Sequence, residues 1–180
     1  IDEKPTNEQL DRLENYFGFN PPRIHGYDVV GTIKAIHDEK VKFMFCMGGN
    51  FLSAAPDTTY TAEAFRKLKL LVCVSTKLNR GHLIHGKESL ILPTLSRSDM
   101  DIVNNEVQII STENSMGVVQ SSKGVLKPIS DQLINETQIV CRMAMAVFGE
   151  KSVIDWKRYH DSYDDVREAI ENCIPGFENY

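Results

Sequence analysis

The sequence predicts an α/β fold built on a mostly parallel sheet, and three observations carry that prediction. Val41–Met47 is mostly apolar, contains no Gly or Pro, and is typical of a strand buried on both faces of a sheet. Leu70–Val74 is a second continuous apolar run. Segments with helical periodicity precede, separate and follow these runs, and this order is typical of a doubly wound parallel sheet.

The remaining elements follow from apolar periodicity and from helix-ending residues. The predicted helices cover Pro5–Phe17, Tyr27–His37, Thr61–Leu68, Ser130–Phe148 and Ser162–Cys173. A third short strand, Ser89–Leu92, is expected to end at Pro93. Beyond it, the extended pieces Val107–Ser111 and Gly117–Gln120 interrupt a loop-rich stretch. Such a long irregular stretch normally carries function or packs on another domain.

Each of the first two strands ends in residues that suit an anionic ligand. Gly48 and Gly49 favour a tight turn with positive φ, in which no Cβ blocks a ligand, and Asn50 adds an amide. Hydroxyls and cations follow the second strand, at Ser75, Thr76, Lys77 and Arg80. Ligands of open α/β sheets bind outside the carboxyl ends of the strands, so these residues predict a site for an anionic or nucleotide ligand. A plain glycine turn and a solvated loop are the alternatives.

Composition and charge limit the possible functions. A chain of 180 residues with 42% hydrophobic and 25% charged residues is expected to fold as one soluble globular domain. Its net charge of −5 argues against a generic nucleic-acid or anionic-membrane surface. No apolar run approaches the roughly 20 residues of a membrane helix. The start at Ile1 and the tail Phe177–Tyr180 suggest a piece of a longer protein.

Cysteine usage predicts no metal centre. The four cysteines are scattered singly among apolar neighbours, at Cys46, Cys73, Cys141 and Cys173. Without a C-x-x-C pair or a Cys/His cluster, a zinc or iron–sulfur site built from this chain alone is not expected. Free thiols are typical of a reducing compartment, and we expect a cytoplasmic location. No nucleophile elbow, Walker loop or G-x-G-x-x-G motif is present, so no catalytic residue is predicted.

Five motifs, taken in order, resemble a known family. They are G-G-N-F at Gly48–Phe51, S-T-K-L-N-R-x-H at Ser75–His82, L-I-L-P-x-L-x-R at Leu90–Arg97, E-x-S-M-G-x-V at Glu113–Val119 and I-S-D-Q-L-x-x-E at Ile129–Glu136. This series resembles an interior segment of the formate-dehydrogenase-like molybdopterin oxidoreductases, in the dimethyl-sulfoxide-reductase superfamily. The likeness covers residues 24–177, with residues 1–23 as an N-terminal helix and linker. It implies a single Rossmann-like, three-layer α/β domain over residues 1–180.

The resemblance implies a parent enzyme that holds molybdenum between two molybdopterin guanine dinucleotides. This chain would cradle the nucleotide half of one of them, and its partners would be that cofactor and the remaining domains of the parent. The implied substrate of the parent is formate or a related small molecule. The thiolate or selenolate ligand of molybdenum, and the cysteines of a possible 4Fe-4S cluster, would lie upstream of Ile1.

The resemblance assigns cofactor-binding roles to eight residues, namely Gly48, Gly49, Asn50, Ser75, Thr76, Lys77, Arg80 and Glu136. Asn50 would contact the guanine dinucleotide, and Gly48 and Gly49 would allow its close approach. Ser75 and Thr76 are candidates for the ribose. The two cations would meet the pyrophosphate or another domain. Glu136 would accept hydrogen bonds from the N–H groups of guanine.

Two positions depart from the family pattern. Gly81 stands where serine is frequent, and Glu88-Ser89-Leu90 replaces Ala-Asp-Val before the third strand ends. A stand-alone nucleotide-binding or regulatory module, and an α/β interaction domain without a ligand, are the alternative functions. A molybdenum-ligating residue and a cluster-type cysteine motif upstream would distinguish the family assignment from both.

The metal content of the isolated chain tests the cysteine argument. We expect the purified chain to carry no stoichiometric molybdenum, iron or zinc, because no cysteine or histidine group has ligand spacing. Elemental analysis measures this directly. One metal ion per chain would contradict the expectation.

Overall fold

The computed structural model describes residues 4–178, which form two compact units. One unit is Gly26–Ser96, and the other comprises the described parts of Ile1–His25 and Arg97–Tyr180. The expectation of a single domain over the whole chain stays a prediction. Ile1 and the last two residues of the tail, from which a longer parent was inferred, lie outside the described residues.

The unit Gly26–Ser96 contains a three-stranded parallel sheet with helices between its strands. Its elements are α2 (Val29–His37), β1 (Phe43–Met47), α3 (Phe51–Ala54), α4 (Thr58–Phe65), β2 (Leu70–Ser75), a 3-10 turn (Arg80–Leu83) and β3 (Glu88–Pro93). The strand order is β1-β2-β3, and both pairs are parallel. Met47 lies opposite Val74, which in turn lies opposite Leu92. The predicted α/β class with a Rossmann-like parallel sheet is confirmed.

Capping residues set the helix starts of this unit. The Asp28 carboxylate accepts a hydrogen bond from Gly31 N at 2.6 Å, so α2 begins at Val29 rather than Tyr27. The Asp57 carboxylate accepts from Tyr60 N at 2.9 Å. Helix α4 therefore begins three residues before the predicted start at Thr61.

Pro93 is the last paired residue of β3, whereas the predicted strand stops at Leu92. Pro93 is opposite Ser75, and Thr94 N donates to Ser75 O at 3.3 Å. Because the next residue supplies the hydrogen bond, the missing N–H of proline costs the sheet nothing at this position.

The sheet packs one face against α2, α3 and α4. The buried cluster includes Ile36, Ala64, Phe65 and Leu71, with Leu71 contributed by the central strand β2. The expectation that β1 is buried on both faces was wrong. Its first and last residues, Phe43 and Met47, are 51% and 41% exposed, because β1 is an edge strand of this three-stranded sheet.

The second unit combines helices with two short hairpins. Its elements are α1 (Asn7–Phe17), β4 (Ile102–Val103), β5 (Glu106–Val107), β6 (Ile110–Glu113), β7 (Val119–Ser122), α5 (Glu136–Phe148), α6 (Trp156–Asp161) and α7 (Tyr163–Cys173). β4 pairs with β5 and β6 with β7, both antiparallel. Helix α7 packs against α1 and α6, and α6 packs against α5.

Helix α5 begins later than its sequence predicts. Asn135 caps it by accepting a hydrogen bond from Gln138 N at 2.7 Å, so the helix starts at Glu136 and not at Ser130. Helix α6 was not predicted, since six residues are too few for a clear period. Asp155 caps it by accepting from Arg158 N at 3.1 Å.

A buried carboxylate joins three elements of this unit. Asp101 is 3% exposed and accepts hydrogen bonds from Asn135 Nδ2 at 3.0 Å and from the Tyr163 hydroxyl at 2.6 Å. Burial is the main cause that raises the pKa of Tyr163 above its ordinary value, and the hydrogen bond to Asp101 raises it further. The residue before β4 is thereby tied to the starts of α5 and α7.

Across residues 4–178, no helix combines the length and the apolar character that crossing a bilayer requires.

Two glycine substitutions test the packing of the sheet unit. A Cβ at Gly86 would lie 1.8 Å from the backbone oxygen of Leu68, which already accepts from Lys87 N at 2.9 Å. We therefore expect Gly86→Ala to lower the free energy of unfolding by about 3 kcal/mol or more, since backbone must move. Urea denaturation followed by circular dichroism measures the change.

Gly26→Ala is the matched control, because a Cβ there would meet nothing within 4 Å. Its unfolding free energy should stay within about 1 kcal/mol of that of the unsubstituted chain. Equal effects of the two substitutions would contradict the described packing around Gly86.

Candidate functional site

The turn after β1 has the backbone conformation that its two glycines predict. Gly48 and Gly49 have φ values of 67° and 61°, in the left-handed region. Gly48 N donates to Val74 O at 2.9 Å, which ties the turn to the end of β2. The N–H groups of Gly49 and Asn50 make no hydrogen bond within residues 4–178 and therefore remain as donors for a ligand.

Asn50 is held in place by its role as the cap of α3. Its Oδ1 accepts from Ser53 N at 3.3 Å, so the amide orientation follows from this contact. The Nδ2 group has no hydrogen-bond partner in the described part of the chain. Asn50 therefore presents two side-chain N–H donors from a half-buried and fixed position.

Gly81 provides the space that the Asn50 side chain occupies. A Cβ at Gly81 would lie 2.7 Å from Asn50 Oδ1 and 3.0 Å from Asn79 Oδ1. The glycine at this position, one of the two departures from the family pattern, therefore has a physical reason.

Asn79 connects the two strand ends and was missed as a site residue. Its Nδ2 donates to Gly49 O at 3.4 Å, while its Oδ1 accepts from Gly81 N at 2.8 Å. Asn79 lies inside the S-T-K-L-N-R-x-H motif, but nothing in the motif distinguishes it from its polar neighbours. A side chain that bonds both turns fixes their separation.

The residues after β2 supply a hydroxyl and two cations. Ser75 Oγ donates to Lys77 O at 2.7 Å, so its proton is used while its oxygen can still accept. Thr76, Lys77 and Arg80 are exposed. Among residues 4–178, neither of the two cations forms an ion pair. Both are therefore available to an anion at this edge.

A small cavity lies beneath the glycine turn. Its volume of about 20 Å³ is enough for about one water molecule. Its lining includes Cys46, Asn50, Cys73, Gly81 and His82. A nucleotide would therefore have to bind over the turn, on the open side, rather than within this cavity.

Glu136 belongs to the other compact unit, so the ends of β1 and β2 do not position it. It is the first residue of α5, directly after the cap Asn135, and it is exposed. Its carboxylate forms no ion pair or hydrogen bond with the described residues, so both carboxylate oxygens are able to accept. The structure thus gathers seven of the eight predicted residues near one sheet edge and gives Glu136 a separate, rigid support.

Known proteins similar to this chain are much longer than it. No family model matches the chain. It is 47% identical over 178 residues, or 99% of its length, to a protein of Mycobacterium tuberculosis named as an uncharacterized oxidoreductase. It is also 39% identical over 180 residues to Protein YdeP of Escherichia coli. The chain spans 23% and 24% of the lengths of these two relatives.

The contact between Gly81 and Asn50 can be tested by a double-mutant cycle. Gly81→Ala should cost roughly 1–2 kcal/mol of unfolding free energy, because the Asn50 and Asn79 side chains must shift. In an Asn50→Ala background the same change should cost at least about 0.5 kcal/mol less, since the closest atom has been removed. Chemical denaturation of the four proteins provides the measurement, and strictly additive costs would contradict the contact.

Proposed function

We propose that this chain cradles the guanine nucleotide of molybdopterin guanine dinucleotide in a molybdenum-dependent oxidoreductase that resembles formate dehydrogenase. The observation that carries the proposal is the group of donors directly after β1 that form no hydrogen bond within residues 4–178. These donors are the N–H groups of Gly49 and Asn50 and the side-chain amide of Asn50. The oxidoreductase names of the similar proteins support the reaction class.

The residues present fit a group that carries phosphate and ribose. A Cβ built at Gly49 would meet nothing within 4 Å, so the space over the turn is open to a ligand. Backbone N–H groups in a left-handed turn favour an anion. Arg80 offers a planar fork that matches phosphate oxygens, and Lys77 offers a point charge.

Each strand end would take a different part of the nucleotide. The turn Gly48–Asn50 would hold the dinucleotide backbone, and Ser75 with Thr76 would meet the ribose hydroxyls. Lys77 and Arg80 would neutralise the pyrophosphate. These roles follow from the resemblance, and the exposure and free donors of the residues support them.

Glu136 is our candidate for reading the base. Guanine presents an N1–H and an N2 amino group side by side, so one carboxylate can accept from both at once. Asn135 caps α5 and is itself held by Asp101, which fixes the backbone that carries Glu136. The exposure of the carboxylate and its freedom from ion pairs among the described residues support this role.

The chemistry of the reaction lies outside this chain in the proposal. Bound molybdenum would supply two-electron oxidation and reduction, while the residues of this chain bind and orient the nucleotide. The metal ligand, any 4Fe-4S cluster and the formate-binding residues belong to other domains of a cytoplasmic parent. The short span of the chain against its relatives supports the existence of those domains. Exposed apolar side chains such as Leu78, Leu83 and Ile129 would suit contacts with them.

Nucleotide titration tests the proposed base preference. The chain should bind GDP more tightly than ADP, because the wrong base leaves polar groups unpaired at roughly 1–3 kcal/mol each. Glu136→Gln should reduce that preference by about 1–2 kcal/mol, or roughly 5–30-fold, through loss of the charge and of one acceptor. Asn50→Ala should weaken both nucleotides alike. Isothermal titration calorimetry at millimolar ligand measures all three.

Glu63→Gln is the control for charge alone, because Glu63 is an exposed carboxylate on α4. It should leave the base preference unchanged. Equal affinity of the unsubstituted chain for GDP and ADP would contradict the guanine site. A full-length protein that binds guanine nucleotide but contains no molybdenum would instead support a regulatory nucleotide-binding module.

A further inference from the structure

Two cysteines that are far apart in sequence lie side by side in the sheet. Cys46 of β1 is the direct partner of Cys73 of β2 in the parallel register. Neighbouring strands lie about 4.8 Å apart, and paired residues of parallel strands face the same side. That spacing falls within the Cα separation of roughly 4.4–6.8 Å at which a disulfide can form.

The two thiols already interact. The two side chains are close enough to influence each other's ionisation, and both cysteines are unbridged and half-buried. Both also line the small cavity beneath the glycine turn, together with Asn50 and His82. The pair is therefore reachable by a small oxidant and adjoins the turn.

We propose that Cys46 and Cys73 form an oxidisable dithiol, which a peroxide converts into a disulfide beneath the Gly48–Asn50 turn. The Cys73 thiolate attacks one oxygen of hydrogen peroxide, which gives a sulfenic acid and releases hydroxide. The sulfur of Cys46 then attacks the sulfenic sulfur, forms the S–S bond and releases the second oxygen as water. Two thiols lose two electrons, and one peroxide is reduced to two molecules of water.

Cys73 is assigned as the attacking sulfur because the strand register places it opposite Cys46, and the contact with Cys46 favours its thiolate. The contact between the two side chains lowers the pKa of Cys73, while the same contact and burial raise the pKa of Cys46. The other two cysteines provide an internal contrast. Cys141 and Cys173 are buried, and desolvation raises the pKa of both. They should react far more slowly.

We expect the disulfide to alter the conformation of the Gly48–Asn50 turn. Cys46 lies two residues before Gly48, and Cys73 precedes Val74, whose carbonyl accepts from Gly48 N. Cys46, Cys73 and Asn50 line the same cavity, so formation of the S–S bond would change the surroundings of Asn50. This inference depends only on the sheet and does not require a nucleotide to bind.

Peptide mapping of the oxidised protein is the primary test. The reduced full-length protein is treated with hydrogen peroxide, its remaining thiols are alkylated under denaturing conditions, and the digest is analysed by mass spectrometry. We expect one cross-linked species, 46–73, with Cys141 and Cys173 recovered as alkylated thiols. Independent oxidation of the two sulfurs to sulfinic acid, without a cross-link, would overturn the proposal.

Phenylarsine oxide is the second probe, because trivalent arsenic bridges two neighbouring thiols. It should protect both Cys46 and Cys73 from alkylation. In each single variant, Cys46→Ser or Cys73→Ser, the remaining thiol has no partner and should be alkylated. Protection that persists in either variant would show that the thiols do not act as a pair.

Trapping with dimedone separates the two roles. In Cys46→Ser, peroxide should convert Cys73 into a sulfenic acid that dimedone labels. This labelling should be at least several-fold stronger than the labelling of Cys46 in Cys73→Ser. Cys141→Ala serves as the matched control and should leave the yield of the 46–73 disulfide unchanged. Equal labelling in the two serine variants would overturn the assignment of Cys73 as the attacking sulfur.

Discussion

The parallel pairing of β1, β2 and β3 is the constraint on which the candidate site depends. The register places Met47, Val74 and Leu92 at one level, so the chain leaves all three strands at the same edge of the sheet. The hydrogen bond from Gly48 N to Val74 O extends this register by one residue into the turn. The position of the turn is thus set by the sheet rather than by the loop alone.

The same constraint makes the donors at this edge rigid before a ligand arrives. Asn50 is fixed by its cap of α3 and by the space that Gly81 leaves, while Asn79 bonds both turns. A site whose donors are already oriented loses less conformational entropy on binding. The cations behave differently, because Lys77 and Arg80 are exposed and must be ordered by the ligand. The amides should therefore contribute affinity at a lower ordering cost than Lys77 and Arg80.

The sequence predicted the parts of this arrangement that depend on local pattern. The apolar runs of β1 and β2 and the positive φ of Gly48 and Gly49 follow from composition alone. Helix starts were less well predicted, because caps such as Asp57 and Asn135 compete with the apolar period. Periodicity also could not distinguish the edge strand β1 from a central strand.

Features that depend on register could not be predicted. Asn79 became important only because β2 ends beside the turn after β1. Cys46 and Cys73 appeared to be isolated thiols, and only the strand pairing shows that they are neighbours. The fit of Gly81 against Asn50 likewise depends on where the second turn lies relative to the first.

Hydrogen–deuterium exchange with and without GDP tests the central claim most directly, since it reports on the backbone amides that the structure leaves unbonded. We expect the amides of Gly49 and Asn50 to become protected when GDP binds, while the Gly48 amide, already bonded to Val74 O, changes little. Saturating GDP that leaves exchange in residues 48–50 and 75–77 unaltered would contradict a nucleotide site at this sheet edge.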